Sequence, residues 1–218
     1  MHDDLVFLVD VDNTLLHNDT VMDDFRRLLL DAFGLERERR YWDIFEQLSA
    51  EVGYADYLGA LQRFRVEWPA DLGIVRASMF LLHYPFNDRL YPGAMDVIEA
   101  LRQLARVVIF TDGDIVYQPN KVERSGLWQA VHGDVLICVH KEEMLDEVER
   151  RYPARRYVMV DDKIRILAAM KAVWGARLTT VLVKQGRFAH DQSTLDAYPP
   201  ADRSIDRIND LTALAREM

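Results

Sequence analysis

The stretch FLVDVDNTLL places Asp10 and Asp12 one residue apart after an apolar run, with the Thr14 hydroxyl at the same spacing beyond them. Comparable polar groups follow other apolar runs. VVIFT ends in Thr111 and leads into Asp112, Gly113 and Asp114. VLICV is followed by His140 and Lys141, and YVMV by Asp161, Asp162 and Lys163. Each group alone has an ordinary structural use: TDGD as a turn, Lys141 as a solvated residue in a first helical turn, Asp161-Asp162 as a helix cap. Together they gather carboxylates, a hydroxyl and an ammonium. Carboxylates brought that close repel one another unless a cation compensates them. Hard oxygen ligands favour Mg²⁺ as that cation.

Such groups meet only if the runs before them are neighbouring strands, because ligand sites in open parallel sheets lie beyond the strands' carboxyl ends. Five short β-branched runs qualify: LVFLV (5–9), VVIFT (107–111), VLICV (135–139), YVMV (157–160) and TTVLV (179–183). Their uniform apolarity predicts a parallel sheet covered on both faces. Helical patterns separate the last four. YPGAMDVIEALRQLA puts Ala94, Val97, Ile98, Leu101 and Leu104 on one face, and YQPNKVERSGLW reads as a short helix ended by Gly126. KEEMLDEVERRY and KIRILAAMKAVWG are two more amphipathic patterns. Alternating strands and helices predict an α/β fold with right-handed crossovers.

Roughly a hundred residues separate Val9 from Val107, far more than one crossover helix needs. VMDDFRRLLLDAFG, ERRYWDIFEQLSAEVG, YADYLGALQRFRVEW and ADLGIVRASMFLLHY fill that interval, with aromatic and Leu stripes suited to a helix-bundle core. The predicted organisation is a core domain of residues 1–15 and 91–218 carrying a helical insertion over 16–90.

With 218 residues, half of them apolar, the chain can bury a sizeable core. A formal net charge of −9 argues against a nucleic-acid partner. It does not argue against a small phosphorylated substrate, since one metal ion reverses the local field. The single cysteine, Cys138, reads as a buried core thiol, and this usage fits a reducing cytoplasm. The first residues are acidic and lack the basic start of a signal peptide, and the apolar runs are too short to cross a bilayer. The expectation is a cytoplasmic protein without a membrane partner.

DVDNT after a hydrophobic strand, Thr after the second, Lys after the third and DD after the fourth resemble, in that order, the haloacid dehalogenase (HAD) superfamily. The resemblance spans the core, and the insertion sits where that superfamily carries a helical C1-type cap. It implies a HAD-like Rossmannoid sheet with helices on both faces and an inserted cap. It further implies a Mg²⁺-dependent phosphatase acting on a small phosphorylated metabolite. Asp10 would be the nucleophile, forming an aspartyl-phosphate. Asp12 would protonate the leaving oxygen and later activate water; dehalogenases and phosphonate-cleaving relatives lack this aspartate. Thr111 and the Asp112 backbone N–H would bind phosphoryl oxygens, and Lys141 would neutralise nucleophile and phosphate. Asp162 aligns best with the metal carboxylate, Asp10 would be a second ligand, and Asp12 would offer its carbonyl. Asp161 would touch the metal directly or through another group, and Thr14 would hold the loop.

The sequence departs from that pattern in places. Asp161-Asp162 replaces the frequent Gly-Asp, Ile166 stands where a further acid often follows, and Glu142 replaces a proline after Lys141. The rival lysines are expected elsewhere, Lys121 on the surface and Lys163 facing solvent. Arg63, Arg65 and Trp68 are expected on a solvated helix face, and His17 and Asn18 where the chain runs towards the cap. A phosphomutase, a dehalogenase and a HAD fold kept for binding are the alternatives. A phospho-receiver domain is smaller, lacks the insertion and orders its acids differently.

Overall fold

The computed structural model describes residues 4–217. Residues 1–3, part of the stretch read above for a targeting segment, and residue 218 lie outside the described residues. β1 (Leu5–Val9) is buried from its second residue onward, which a strand with no polar face requires. It lies at the centre of a six-stranded parallel sheet with β2 (Arg106–Asp112), β3 (Val135–Cys138), β4 (Arg156–Asp161), β5 (Leu178–Val183) and β6 (Arg203–Ile205). The order is β3-β2-β1-β4-β5-β6. The five predicted strands all form. The sequence pattern does not predict β6, because RSI is short and two of its three residues are exposed.

Alternate strand residues enter separate cores. Phe7, Val9, Ile109 and Val160 face one side, packed with α5 (Ala94–Leu104), α6 (Tyr117–Arg124), α7 (Leu127–Ala130) and α11 (Leu211–Ala215). Leu8, Phe110 and Met159 face the other, packed with α8 (Leu145–Arg151), α9 (Ile164–Trp174) and α10 (Gln192–Ala197). Leu104, expected on the buried face of α5, is exposed at its last residue.

Between β1 and β2 the chain forms α1 (Asn18–Phe33), α2 (Leu35–Val52), α3 (Tyr57–Glu67) and α4 (Gly73–His83). They pack through an aromatic cluster in which Phe25 contacts Tyr41, Trp42 and Phe80. The chain leaves and returns at one place. Leu16 and Leu90 form an antiparallel bridge, and the Tyr91 N–H donates to the Leu15 carbonyl at 2.9 Å. Beside it, Asp24 of α1 accepts hydrogen bonds from the Tyr84 hydroxyl at 2.5 Å and from the Arg89 guanidinium at 3.2 Å.

Sheet register sets the site. Val9 pairs with Ile109 on one side and Val160 on the other, so Asp10, the next residue, comes level with Asp161. The Asp10 N–H donates to the Val160 carbonyl at 3.0 Å. The order of strands reverses at β1, the place where an open parallel sheet leaves a crevice beyond its carboxyl edge.

Candidate active site

The chain turns sharply after β1. The N–H groups of Thr14, Leu15 and Leu16 all donate to the Val11 carbonyl, and Asn13 takes a left-handed φ of 58°. Asparagine tolerates that conformation better than most residues, and its side chain is locked by two 3.1 Å hydrogen bonds with Asp19. Thr14 is buried and its carbonyl accepts from Gln185 Nε2 at 3.0 Å. Gly186 closes the other side with φ 69°; a Cβ there would lie 2.4 Å from Asn13 Cβ.

This turn and its neighbours bring the predicted groups together. Lys141 Nζ donates to Asp10 Oδ1 at 2.5 Å and to Asp161 Oδ2 at 2.6 Å. Asp161 Oδ1 accepts from the Lys163 N–H at 2.8 Å. The Lys141 N–H donates to Asp112 Oδ1 at 3.0 Å, so the Asp112 carboxylate anchors the loop that presents Lys141. Thr111 Oγ1 accepts from Gln118 Nε2 at 2.9 Å. Asp10, Thr111, Lys141, Asp161 and Asp162 are each 2% exposed or less. Of the TDGD segment, Asp114 serves as the turn residue expected, accepting from the N–H groups of Val116 and Tyr117.

Charge balance distinguishes the carboxylates. Burial would depress the Lys141 ammonium, but Asp10, Asp161 and Asp112 outweigh it and hold its pKa well above the ordinary lysine value. Burial raises Asp162 well above the usual carboxylate range, with Asp161 and Asp10 adding to it. Both Asp162 oxygens and Asp10 Oδ2 are buried without a hydrogen-bond partner. Asp10, Asp161 and Asp162 each offer one oxygen within 4.8 Å of the others. Orphaned, mutually repelling oxygens of this kind fit a small divalent cation, because hard oxygen donors are what Mg²⁺ takes.

Two expectations are corrected. Lys121 is fully buried, its Nζ bonded to both Asp12 oxygens at 2.6 and 2.8 Å and to Asn18 Oδ1 at 3.0 Å. Lys163 is half-buried on a cavity wall, its Nζ 5.7 Å from the centre of the Phe188 ring. Lys163 caps the start of α9 and lines the cavity, whereas Lys121 lies in the second half of α6 and reaches Asp12 without lining the cavity. Arg63 and Arg65 are exposed as expected, with Arg63 paired to Glu51, while Trp68 packs on Phe64. His17 caps α1 by accepting from the Thr20 N–H.

A cavity of about 370 Å³ opens beside this cluster. Asp12, Asp112 and Lys163 line it from the sheet side, and Phe45, Tyr54 and Tyr57 from the helical insertion. The insertion comes close here: a Cβ on Gly53, which ends α2 with φ 85°, would lie 2.7 Å from His140 Nε2. Arg187 and Phe188, after β5, complete the wall. No acid or hydroxyl marks this fifth strand exit in the sequence, but the glycine two residues after Lys184 is a signal of close backbone approach.

A family model for haloacid dehalogenase-like hydrolases matches residues 5–173. The chain belongs to this family. Among solved structures, a protein from Burkholderia xenovorans described as a haloacid dehalogenase-like hydrolase is 54% identical, with a TM-score of 0.94 over 99% of this chain and 98% of that one. A HAD hydrolase from Bacillus subtilis, solved with magnesium, is 18% identical with a TM-score of 0.64, covering 99% of both chains. An L-2-haloacid dehalogenase is 15% identical with a TM-score of 0.66, covering 98% of this chain and 99% of that one. The last two share the HAD fold. No curated protein matches the chain. Among the described residues, no helix is long and apolar enough to cross a membrane.

Proposed function

We propose that this HAD-like hydrolase is a Mg²⁺-dependent phosphatase that acts on a small phosphorylated metabolite. One observation carries the reading: a second carboxylate, Asp12, stands on the cavity wall two residues beyond the buried Asp10. Halide ions leave without a proton, whereas the alkoxide of a phosphate ester does not, so Asp12 has a task only in the second reaction.

In the first step an Asp10 carboxylate oxygen bonds to phosphorus as the bond from phosphorus to the leaving oxygen breaks. That oxygen takes its proton from Asp12. A water then gives a proton to Asp12 and attacks the phosphoryl group, releasing phosphate and freeing Asp10. Thr111 and the Asp112 N–H bind phosphoryl oxygens, and Lys141 offsets the charge of nucleophile and phosphate. Asp10, Asp162 and the Asp12 carbonyl would hold Mg²⁺, with Asp161 in contact or just behind. When bound, the ion neutralises charge on the phosphoryl group. Residues 16–90 serve as the cap, shielding the reaction from water and selecting the leaving group over a core of 1–15 and 91–218.

Hydrolysis of p-nitrophenyl phosphate tests the reading. Asp10→Asn is expected to abolish turnover while leaving the circular dichroism spectrum unchanged. Chelation is expected to stop the wild-type enzyme and Mg²⁺ to restore it. Unchanged turnover by Asp10→Asn would remove the nucleophile assignment, and halide release from a 2-haloacid without phosphatase activity would favour the dehalogenase. A screen of phosphorylated metabolites with and without Mg²⁺ identifies the substrate.

A further inference from the structure

Two buried polar residues of α6 have no part in the steps above. Gln118 and Lys121 are three residues apart, so they share one helix face, and both are buried. Lys121 Nζ donates to Asp12 Oδ1 at 2.6 Å and Oδ2 at 2.8 Å. Gln118 Nε2 donates to Thr111 Oγ1 at 2.9 Å and reaches Asp12 Oδ2 at 3.4 Å. The approach of Gln118 depends on Gly113, where a Cβ would lie 2.5 Å from Gln118 Cβ. Lys121 is not among the residues lining the cavity, whereas Asp12 is, with its side chain 23% exposed. The lysine therefore touches the carboxylate from behind while the carboxylate faces the space a substrate would fill. Burying an ammonium costs several kcal/mol unless it is well paired. Filling this place with an apolar side chain would avoid that cost, so the pairing itself needs a reason.

We propose that Lys121, assisted by Gln118, is a positioning residue that fixes the Asp12 carboxylate towards the leaving-group oxygen. The inference rests on the phosphatase reading. Asp12 lies within the tight turn that Thr14, Leu15 and Leu16 close on the Val11 carbonyl, and its side chain is one arm of two rotatable bonds; held at both oxygens, it cannot swing away from the cavity. Lys121 also donates to Asn18 Oδ1, the first residue of α1, at 3.0 Å. The same ammonium thus ties the orientation of Asp12 to the seating of the helical insertion. Gln118 extends the arrangement to Thr111, so that the groups proposed for phosphate and for leaving oxygen are held in one frame.

A misaimed proton donor harms esters whose leaving group must be protonated and spares those whose leaving group departs as a stable anion. The experiment compares kcat/KM for β-glycerophosphate and for p-nitrophenyl phosphate, since this ratio reports the steps up to departure of the leaving group. Wild type, Lys121→Met, Asp12→Asn and the double variant are measured with Mg²⁺. Lys121→Met is expected to lose about 10²-fold on the alkyl ester, the scale of a small misplacement, and under about 10-fold on the aryl ester. In the Asp12→Asn background the same substitution is expected to add no further loss. Equal losses on both esters, or additive losses in the double variant, overturn the inference and leave the phosphatase reading standing. A wild-type enzyme that hydrolyses neither ester overturns both. If Lys121→Met does not fold, Lys121→Arg keeps the charge but moves its donors. It is expected to show the same bias against the alkyl ester, and no bias overturns the inference.

Discussion

Asp162 keeps both carboxylate oxygens out of water with no hydrogen bond to either, while Asp10 and Asp161 press their charges on it. A carboxylic acid whose folded pKa is raised destabilises the fold progressively as pH climbs from the unfolded value towards the folded one. Asp162→Asn is therefore expected to raise the melting temperature of the metal-free protein at neutral pH and to flatten its decline with pH. In the wild type, Mg²⁺ at a hundredfold excess over its Kd is expected to add about 2.7 kcal/mol, or roughly 5–10 °C for a chain of this size. The variant is expected to lose most of that shift; calorimetry with and without Mg²⁺ measures both effects. At this scale the sequence was legible where a polar residue closes an apolar run, which is how Asp10, Thr111, Asp161 and Asp162 stand out. Lys121 and Gln118 were illegible because YQPNKVER looks like any solvated helix. Their burial depends on how α6 is turned against the sheet edge, a property of packing alone.

The helical insertion is held at its neck by a few named bonds. Asp24 accepts from Tyr84 and Arg89, joining the first helix of the insertion to the segment by which the chain returns. Burial raises the Asp24 pKa, but the Tyr84 and Arg89 hydrogen bonds outweigh it and leave the group below the ordinary value. A lowered pKa contributes stability that is present above the unfolded value and fades as pH falls through the folded one. Asp24→Asn is expected to cost about 1 kcal/mol at neutral pH, discounted for partial exposure, and less below about pH 4, in denaturant titrations. Elements as such were the most legible part of the chain. The periodic stripes of α1–α4 and the uniform strand runs each carry one dominant pattern. β6 carries none, since its pairing to β5 comes from the edge it finds rather than from its own three residues. The wall supplied by Arg187 and Phe188 escaped notice for a related reason: no carboxylate, hydroxyl or cysteine immediately follows β5 to mark its exit.

Across the whole molecule the active centre joins residues far apart in sequence. Lys141 and Asp10, bonded through their side chains, are 131 residues apart. β1 is central, yet its partner β4 begins only at Arg156. During synthesis at about 5–20 residues per second, β1 therefore waits on the order of 10–30 s for that partner. Until β2 (Arg106–Asp112) emerges LVFLV is an apolar strand with two unpaired edges, and until β4 emerges it still has one, the kind of segment that aggregates. It is flanked by Asp4 on one side and by Asp10 and Asp12 on the other. Charges at the ends of such a segment act as gatekeepers against self-association. Asp10→Asn is accordingly expected to leave the native protein intact but to increase light scattering when unfolded chain is rapidly diluted at micromolar concentration; equal scattering would remove this role. The aspartates proposed to do chemistry in the folded protein would then have an earlier use, keeping the newborn strand soluble until its partner exists.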